Sequence, residues 1–304
     1  MLRAPLLYLS QRKSFQHLIT GLALSRRVAR RFVAGETLDD AIAAVAALNR
    51  AGCRATLDHL GENTSDPEAA RRAAAATVTA LNRIAATGVD SNVSIKLTQM
   101  GLDLSEDLCL DNVRSILDTA AGHGNFVRID MEGSAYTERT LALGYLLREL
   151  GYDNVGVVIQ SYLYRSHADV QKLIAEGVRV RLVKGAYNEP PSLAYPRKRD
   201  VDASFLRLAE LLLLHGNYPA IATHDERIIT WTERFAEEHG IGRERFEFQL
   251  LYGIRRDLQE RLAREGYNVR VYVPYGDEWY GYLMRRMAER PANLFFVLAN
   301  LLRR

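Results

Sequence analysis

Eight short runs rich in valine and isoleucine recur at a regular interval along this chain, and they limit the folds open to it. Apolar runs of this length are typical of parallel strands buried on both faces. The predicted strands are Cys53–Leu60, Asn92–Gln99, Phe126–Glu132, Val155–Tyr162, Arg179–Tyr187, Ala220–Asp225, Phe246–Tyr252 and Val269–Tyr275.

Helical patterns lie between the predicted strands and flank them. The predicted helices are Thr37–Asn49, Pro67–Thr87, Asp111–Ala121, Thr137–Leu150, Ser166–Glu176, Val201–His215, Glu226–His239, Arg255–Glu265 and Glu278–Leu302. Alternating strands and helices over about 250 residues predict an α/β fold, a TIM-like (β/α)8 barrel. An open doubly wound sheet would require a glycine-rich dinucleotide fingerprint after an early strand, and the sequence has none. We therefore expect a helical N-terminal extension over residues 1–48 and a barrel catalytic domain over residues 49–304, closed by a C-terminal helix.

Charge and composition exclude several classes of protein. The net charge of +3 is small and the basic residues are scattered, so we expect no nucleic-acid partner. No apolar run approaches the roughly 18 residues of a membrane-spanning helix, which predicts a cytoplasmic protein. However, no acidic residue precedes Glu36, although that segment contains several arginines and one lysine. This composition fits a transit peptide, a helix on a membrane surface, or a helix packed on the barrel, and the sequence leaves the choice open.

Polar side chains cluster where the predicted strands end, which is where barrel enzymes place their reactive groups. These residues are Lys96, Asp130, Gln160, Arg181, Lys184, Thr223, His224, Gln249 and Tyr272. Charged groups in apolar strands are costly unless they are paired or used. A buried ion pair of Asp130 with Lys96 or Arg181 is the alternative for any single residue. No spacing of His, Asp or Glu predicts a metal site.

A pair of adjacent arginines, Arg285 and Arg286, stands within one helical turn of Tyr282 and Glu289. Two guanidinium groups beside an aromatic ring are suited to bind a small carboxylate. A solvated charged helix face is the alternative for this segment taken alone.

At these residues the chain resembles the proline dehydrogenase family. The resemblance rests on four segments in family order, which are residues 181–187, residues 222–225, residues 247–253 and residues 282–286. It implies FAD-dependent oxidation of L-proline to 1-pyrroline-5-carboxylate, the first step of proline breakdown to glutamate. Hydride would pass from the ring carbon beside the amine to flavin N5, and the electrons would then pass to a membrane quinone.

The resemblance also implies residue roles. Lys96, Arg285 and Arg286 would bind the proline carboxylate, Glu289 would hold the arginines, and Tyr272 and Tyr282 would enclose the pyrrolidine ring. Arg181 would place a positive charge near flavin N5, and Asp130 would orient a cationic neighbour. Residues implied to contact FAD are Met131, Gln160, Arg181, Val183, Lys184, Gly185, Ala186, Thr223, His224, Gln249 and Leu251.

The chain is similar to the short monofunctional bacterial form, so a separate 1-pyrroline-5-carboxylate dehydrogenase is expected to act next. Asn188 departs from the bulky aromatic found in many bifunctional members, which affects the adenine side of the expected FAD site. Peripheral contact with the inner face of the cell membrane stays open. A Schiff-base lyase or aldolase using Lys96 or Lys184 as nucleophile is the rival function.

Overall fold

The computed structural model describes residues 30–61 and 64–282. Eight parallel strands close into a barrel in sequence order, with β8 paired to β1. The strands are β1 Arg54–His59, β2 Ser91–Ile95, β3 Val127–Ile129, β4 Val155–Gln160, β5 Arg179–Val183, β6 Ala220–Ala222, β7 Glu247–Leu251 and β8 Val269–Tyr275. The predicted barrel is thus confirmed.

One helix precedes β1, and seven others follow strands β1 to β7 in the described part of the chain. Their bounds are α1 Leu38–Arg50, α2 Pro67–Thr87, α3 Glu106–Gly122, α4 Ser134–Glu149, α5 Ser166–Ala175, α6 Lys198–His215, α7 Glu226–Glu238 and α8 Arg256–Arg264, with a short 3-10 turn at Arg243–Arg245. The predicted bounds of α2 and β8 are confirmed at both ends.

Local sequence signals set the ends of the longest of these helices, α2. Asp66 caps its start by accepting a hydrogen bond from the Ala69 amide at 2.8 Å, and Pro67 occupies the first turn. Gly88 ends the helix in the left-handed conformation, with φ of 68°. These three residues set the bounds of the helix that the sequence predicted.

Several predicted strands were too long at their carboxyl ends. Strand β2 ends at Ile95 instead of Gln99, and β5 ends at Val183 instead of Tyr187. The backbone leaves the sheet here to form the loops that carry the polar residues. The start of α3 was also wrong, because Ser105 caps the helix by accepting from the Leu108 amide, well before the predicted Asp111.

Apolar residues fill the layer between strands and helices, whereas the barrel interior is largely polar. Val93, Ile95, Ile116 and Leu117 are fully buried in the outer layer. Inside the barrel, Thr56 donates to Asn92 at 2.5 Å, and other polar side chains meet across non-adjacent strands. A barrel interior is usually filled by branched apolar side chains. The polar interior is therefore the feature that positions a site.

Helix α1 packs against β1 and β8 and buries Ala41, Ile42 and Val45 in the main core. The division at residue 48 stays a prediction. Residues 279–282 are helical, and the rest of the predicted Glu278–Leu302 helix lies outside the described residues. Within the described ranges, no helix combines the length and the apolar character needed to cross a bilayer.

Candidate active site

One cavity of about 680 Å³ opens at the carboxyl ends of the strands. It brings together all the predicted site residues that lie in the described ranges. These are Lys96, Asp130, Met131, Gln160, Arg181, Val183, Lys184, Gly185, Ala186, Thr223, His224, Gln249, Leu251, Tyr272 and Tyr282. The remaining predicted residues, Arg285, Arg286 and Glu289, lie outside the described residues.

Asp130 organises the centre of this cavity. Its carboxylate accepts hydrogen bonds from Arg181 Nη1 at 2.7 Å, from Ser94 Oγ at 2.8 Å and from the Tyr272 hydroxyl at 2.7 Å. Lys96 Nζ lies 4.0 Å from it. The ion pair that the sequence offered as an alternative for Asp130 is therefore present. It fixes the direction of Arg181 and Tyr272 in the cavity.

Tyr272 remains a neutral hydrogen-bond donor in this network. Burial, together with the negative charge of Asp130, raises the pKa of Tyr272 well above its ordinary value. The Arg181 guanidinium carbon lies 5.3 Å from the centroid of the Tyr272 ring, within the range of a cation–π contact. The phenol thus holds Asp130 on one side and packs beside Arg181 on the other.

Lys96 is fixed by Asp58, a residue that the sequence reasoning missed. Lys96 Nζ donates to the two carboxylate oxygens of Asp58 at 3.0 and 3.1 Å. The Asp58 side chain is 1% exposed and that of Lys96 is 11% exposed. Asp58 could have been found, since it lies next to the carboxyl end of β1, just as the other site residues lie at the carboxyl ends of their strands. Ser94 was also missed, because a serine in a strand carries no comparable signal.

A second charged cluster surrounds Lys184. Its Nζ donates to Asp202 at 2.6 Å and to Asp225 at 2.9 Å, and Lys198 also contacts both acids. Burial opposes ionisation of Asp225, but the hydrogen bond and charge of Lys184 outweigh it and lower the pKa of Asp225 to about 2. Asp202 lies on α6, far along the chain from β5, so the sequence did not indicate this contact.

His224 links the ends of β6 and β7. Its Nε2 accepts a hydrogen bond from the Leu251 amide at 3.0 Å, so this nitrogen carries no proton. Thr223 accepts from the Asp225 amide at 3.1 Å, which shapes the turn into α7. These two residues therefore set the backbone of the cavity wall. Gln249 lines the same wall and donates to Glu247 at 2.5 Å.

Gly185 forms part of the wall in a conformation that requires glycine. Its φ is +108°, and an added Cβ would stand 2.4 Å from the Tyr162 ring. The Tyr162 ring thus packs directly on this turn, and residues 184–186 line the cavity with only one long side chain among them, that of Lys184. Such a wall permits a flat ligand to approach closely.

Two buried polar atoms without a hydrogen-bond partner among the described residues bear on whether a flavin fits this cavity. Arg181 Nε and Gln160 Oε1 are buried, and neither makes a hydrogen bond with a described residue. Both residues line the cavity, so a ligand edge bearing an acceptor and a donor would satisfy them, as the flavin ring edge does. The lining also has six basic and four acidic side chains, which favours an anionic ligand. The residues present therefore fit a flavin nucleotide.

The fold and the site together define a (β/α)8-barrel enzyme with a charged, ligand-binding cavity at the carboxyl ends of its strands. The family model described as "Proline dehydrogenase" matches residues 41–299. Proline dehydrogenase 1 of Bacillus subtilis subsp. natto is 46% identical over 304 residues, which covers 100% of each chain. The chain belongs to the proline dehydrogenase family. The resemblance predicted from the motifs is confirmed.

Two further comparisons agree with this family. Proline dehydrogenase of Deinococcus radiodurans is 47% identical over 280 residues, covering 91% of this chain and 90% of the relative. The crystal structure of proline utilization A from Bdellovibrio bacteriovorus inactivated by N-propargylglycine is similar with a TM-score of 0.81 at 27% identity. That match covers 87% of this chain and 33% of the other. Family membership implies a flavin cofactor.

Proposed function

We propose that this protein oxidises L-proline to 1-pyrroline-5-carboxylate with FAD as its bound cofactor. The observation that carries the proposal is the Asp130 network. In it, Lys96, Arg181 and Tyr272 surround the Asp130 carboxylate in the cavity at the carboxyl ends of the strands. Proline offers a carboxylate, an amine and a small apolar ring. A cavity with fixed cations and an aromatic wall matches all three.

In this proposal, Lys96 binds the carboxylate of proline. Asp58 holds the ammonium group with two hydrogen bonds, so Lys96 is oriented before the substrate arrives. Tyr272 presents its ring to the pyrrolidine and keeps its hydroxyl on Asp130. Tyr282 lines the same cavity and would close the other side of the ring. Arg285 and Arg286 are proposed to complete the carboxylate site, with Glu289 holding them.

The cofactor is proposed to lie along β4 to β7, held by Gln160, Lys184, Gly185, His224 and their neighbours. When bound, FAD supplies the two-electron acceptor for the bond cleaved beside the proline amine. Arg181 is proposed to stabilise negative charge there, because its guanidinium is fixed by Asp130 and keeps a free Nε donor among the described residues. Met131 would pack beside the flavin ring.

The rival function, a Schiff-base lyase or aldolase, requires a neutral lysine as nucleophile. Lys96 contacts Asp58 and Asp130, and Lys184 contacts Asp202 and Asp225. These ion pairs already engage the nitrogen atom that a Schiff-base nucleophile would need. This arrangement supports the oxidation over the Schiff-base chemistry.

The decisive experiment is an anaerobic absorption spectrum of the purified protein before and after addition of L-proline. We expect a flavin spectrum that bleaches with proline, and FAD released when the protein is denatured. Mass spectrometry of the reaction should detect 1-pyrroline-5-carboxylate. A colourless protein that is trapped on a carbonyl substrate by borohydride would refute the proposal in favour of the lyase.

Two variants test the carboxylate site. Lys96→Met should weaken proline binding by about 2–5 kcal/mol, as when a buried charge pair loses a partner. Lys172→Met is the matched control, because Lys172 contacts the Tyr145 ring outside the cavity. The flavin content of each variant separates a binding defect from a folding defect. Equal proline kinetics in both variants at equal flavin content would show that Lys96 is misassigned.

The electrons are proposed to pass to a membrane quinone, with a separate 1-pyrroline-5-carboxylate dehydrogenase consuming the product. The basic, acid-free segment before Glu36 supports peripheral contact with an anionic membrane. Cosedimentation with anionic vesicles should increase on flavin reduction and decrease with salt. Quinone reduction without vesicle binding in either redox state at low salt would reject the membrane contact alone.

A further inference from the structure

A second cavity, of about 280 Å³, lies at the amino ends of the strands, opposite the candidate active site. Its wall includes Arg128 of β3, Arg179 of β5, Glu247 of β7, Arg270 of β8 and Tyr218, which precedes β6. None of these residues lines the candidate active site. The proposed oxidation therefore gives this cavity no role.

Arg128 forms the buried floor of this cavity. It is 3% exposed, and its Nη1 donates to the carbonyl oxygens of Val157 at 3.0 Å and Arg179 at 2.6 Å. Its buried Nε makes no hydrogen bond with any residue in 30–61 or 64–282. No carboxylate in those ranges forms an ion pair with it. Glu247 attracts Arg128 through its charge but forms no direct ion pair with it. A buried charge without a direct partner is costly, so the floor of this cavity favours an anion.

Arg179 places a second guanidinium at the same cavity. Its guanidinium carbon lies 5.2 Å from the Phe126 ring centroid and 5.4 Å from the Tyr218 ring centroid. These cation–π contacts hold the group without neutralising it. Over the described part of the chain, Arg179 also lacks an ion pair with an acid.

The acids of the cavity wall are already engaged. Glu247 accepts from Arg270 Nε at 3.1 and 3.0 Å on its two oxygens, and Asp90 lies 3.3 Å from Arg54 Nε. Beyond the described ranges, the sequence contains only Glu62 and Glu289 as acidic side chains. Arg128 and Arg179 thus remain as two cations without an acid of their own among the described residues.

The backbone around these arginines is arranged to bring them together. Arg128, Gly156 and Arg179 stand side by side in the register of β3, β4 and β5. A Cβ on Gly156 would lie 2.6 Å from Arg128 Nη1 and 2.5 Å from the Arg179 oxygen, so only glycine leaves room. Tyr218 has a φ of 45°, which is unusual for a residue with a side chain. Such strain tends to persist where a site over-determines the local structure.

We propose that this cavity binds a small oxyanion, a phosphate or a carboxylate group, between Arg128 and Arg179. A guanidinium presents N–H donors in a planar fork that matches both kinds of oxyanion. The Nε of Arg128 supplies a donor that no described residue uses. Burial, with the charge of Arg181 second, lowers the pKa of Arg128 well below its usual range, and a bound anion acts in the opposite direction.

Isothermal titration calorimetry of the flavin-loaded protein tests this site. Sodium phosphate and sodium acetate are titrated separately at constant ionic strength, with sodium chloride as the balancing salt. Arg179→Gln should weaken the binding of the preferred anion by about tenfold or more, as expected when a hydrogen bond to a charged group is lost. Arg234→Gln is the matched control, since Arg234 is exposed on α7 and lies outside both cavities. It should leave the binding unchanged.

The two anions distinguish the sources of the ligand. Saturable binding of phosphate alone assigns a phosphate group, and binding of acetate alone assigns a carboxylate. If Arg179→Gln does not fold, Arg179→Lys replaces it. Lysine keeps the positive charge but lacks the planar pair of N–H donors of the guanidinium, so the same loss of anion affinity is expected. Absence of saturable binding for both anions overturns the proposal. Equal affinity in the wild type and the Arg179 variant also overturns it.

Discussion

Asp58→Asn isolates the contribution of the ion pair that fixes Lys96. The change keeps the shape of the side chain but removes its charge. At 3.0 Å and an effective dielectric constant of about 20, two unit charges attract by about 5.5 kcal/mol. The asparagine oxygen still accepts one hydrogen bond, and Asp130 lies 4.0 Å from Lys96. We therefore expect a net loss of about 3 kcal/mol, the lower end for a buried pair that loses one partner.

Thermal denaturation followed by circular dichroism, at one fixed scan rate, measures this loss. At roughly 2–3 °C per kcal/mol, the Tm should fall by about 6–9 °C. Asp39→Asn is the control, because Asp39 pairs with Arg83 at 2.8 Å on the surface, with side chains 78% and 48% exposed. This exposed pair should contribute less than about 1 kcal/mol.

The double variant Asp58→Asn/Lys96→Met completes the test. It removes both charges, and a buried pair replaced by uncharged groups often costs little. The double variant should therefore recover most of the stability lost in Asp58→Asn. A Tm for Asp58→Asn close to that of the wild type, or a double variant as unstable as Asp58→Asn, would refute the reasoning.

Three further predictions concern the same cavity. Tyr272→Phe removes the donor that lies 2.7 Å from Asp130. The fall in kcat/KM for proline should correspond to a loss of about 1–2 kcal/mol of transition-state stabilisation at unchanged flavin content, and unaltered steady-state kinetics would contradict this. Gly185→Ala should reduce the flavin-to-protein ratio, because its φ is +108° and Tyr162 occupies the space of a Cβ, whereas the neighbouring control Ala186→Gly should bind flavin better than Gly185→Ala. Because the pKa of Asp225 is lowered to about 2, its ion pair contributes stability above about pH 4 and loses it as the pH falls toward 2. The Tm difference between wild type and Asp225→Asn should shrink over that range, and a constant difference would count against the Lys184 cluster.

The sequence predicted the barrel because each strand is a compact apolar run and each helix has a clear period. It predicted strand β8 to the residue, but extended β5 to Tyr187 because the loop after Val183 is also partly apolar. Site residues were found where a charge interrupts an apolar strand, as at Asp130 and Arg181. Contacts between distant segments, such as Asp202 with Lys184, follow from the closed barrel and have no local signal.

Residues that carry charge at the amino ends were overlooked for a different reason. Arg128 and Arg179 lie near the amino ends of their predicted strands. Site residues were sought in the sequence only at the carboxyl ends, so these two were not selected. Gly156, which lies between them, gives no signal in the sequence. Its role is to leave room for Arg128, and that becomes visible only in the structure. Only the register of three neighbouring strands reveals that these residues meet.

The central network joins side chains of β2, β5 and β8 to Asp130, which directly follows β3, and this has a consequence for how the chain folds. Tyr272 reaches Asp130 only after β8 has paired with β1, so the last strand must meet the first before the network is complete. Such long-range closure is slow compared with the formation of local helices. Ligand capture by this cavity is therefore a late event in folding, and the gain of ligand binding during refolding reports the moment at which the barrel closes.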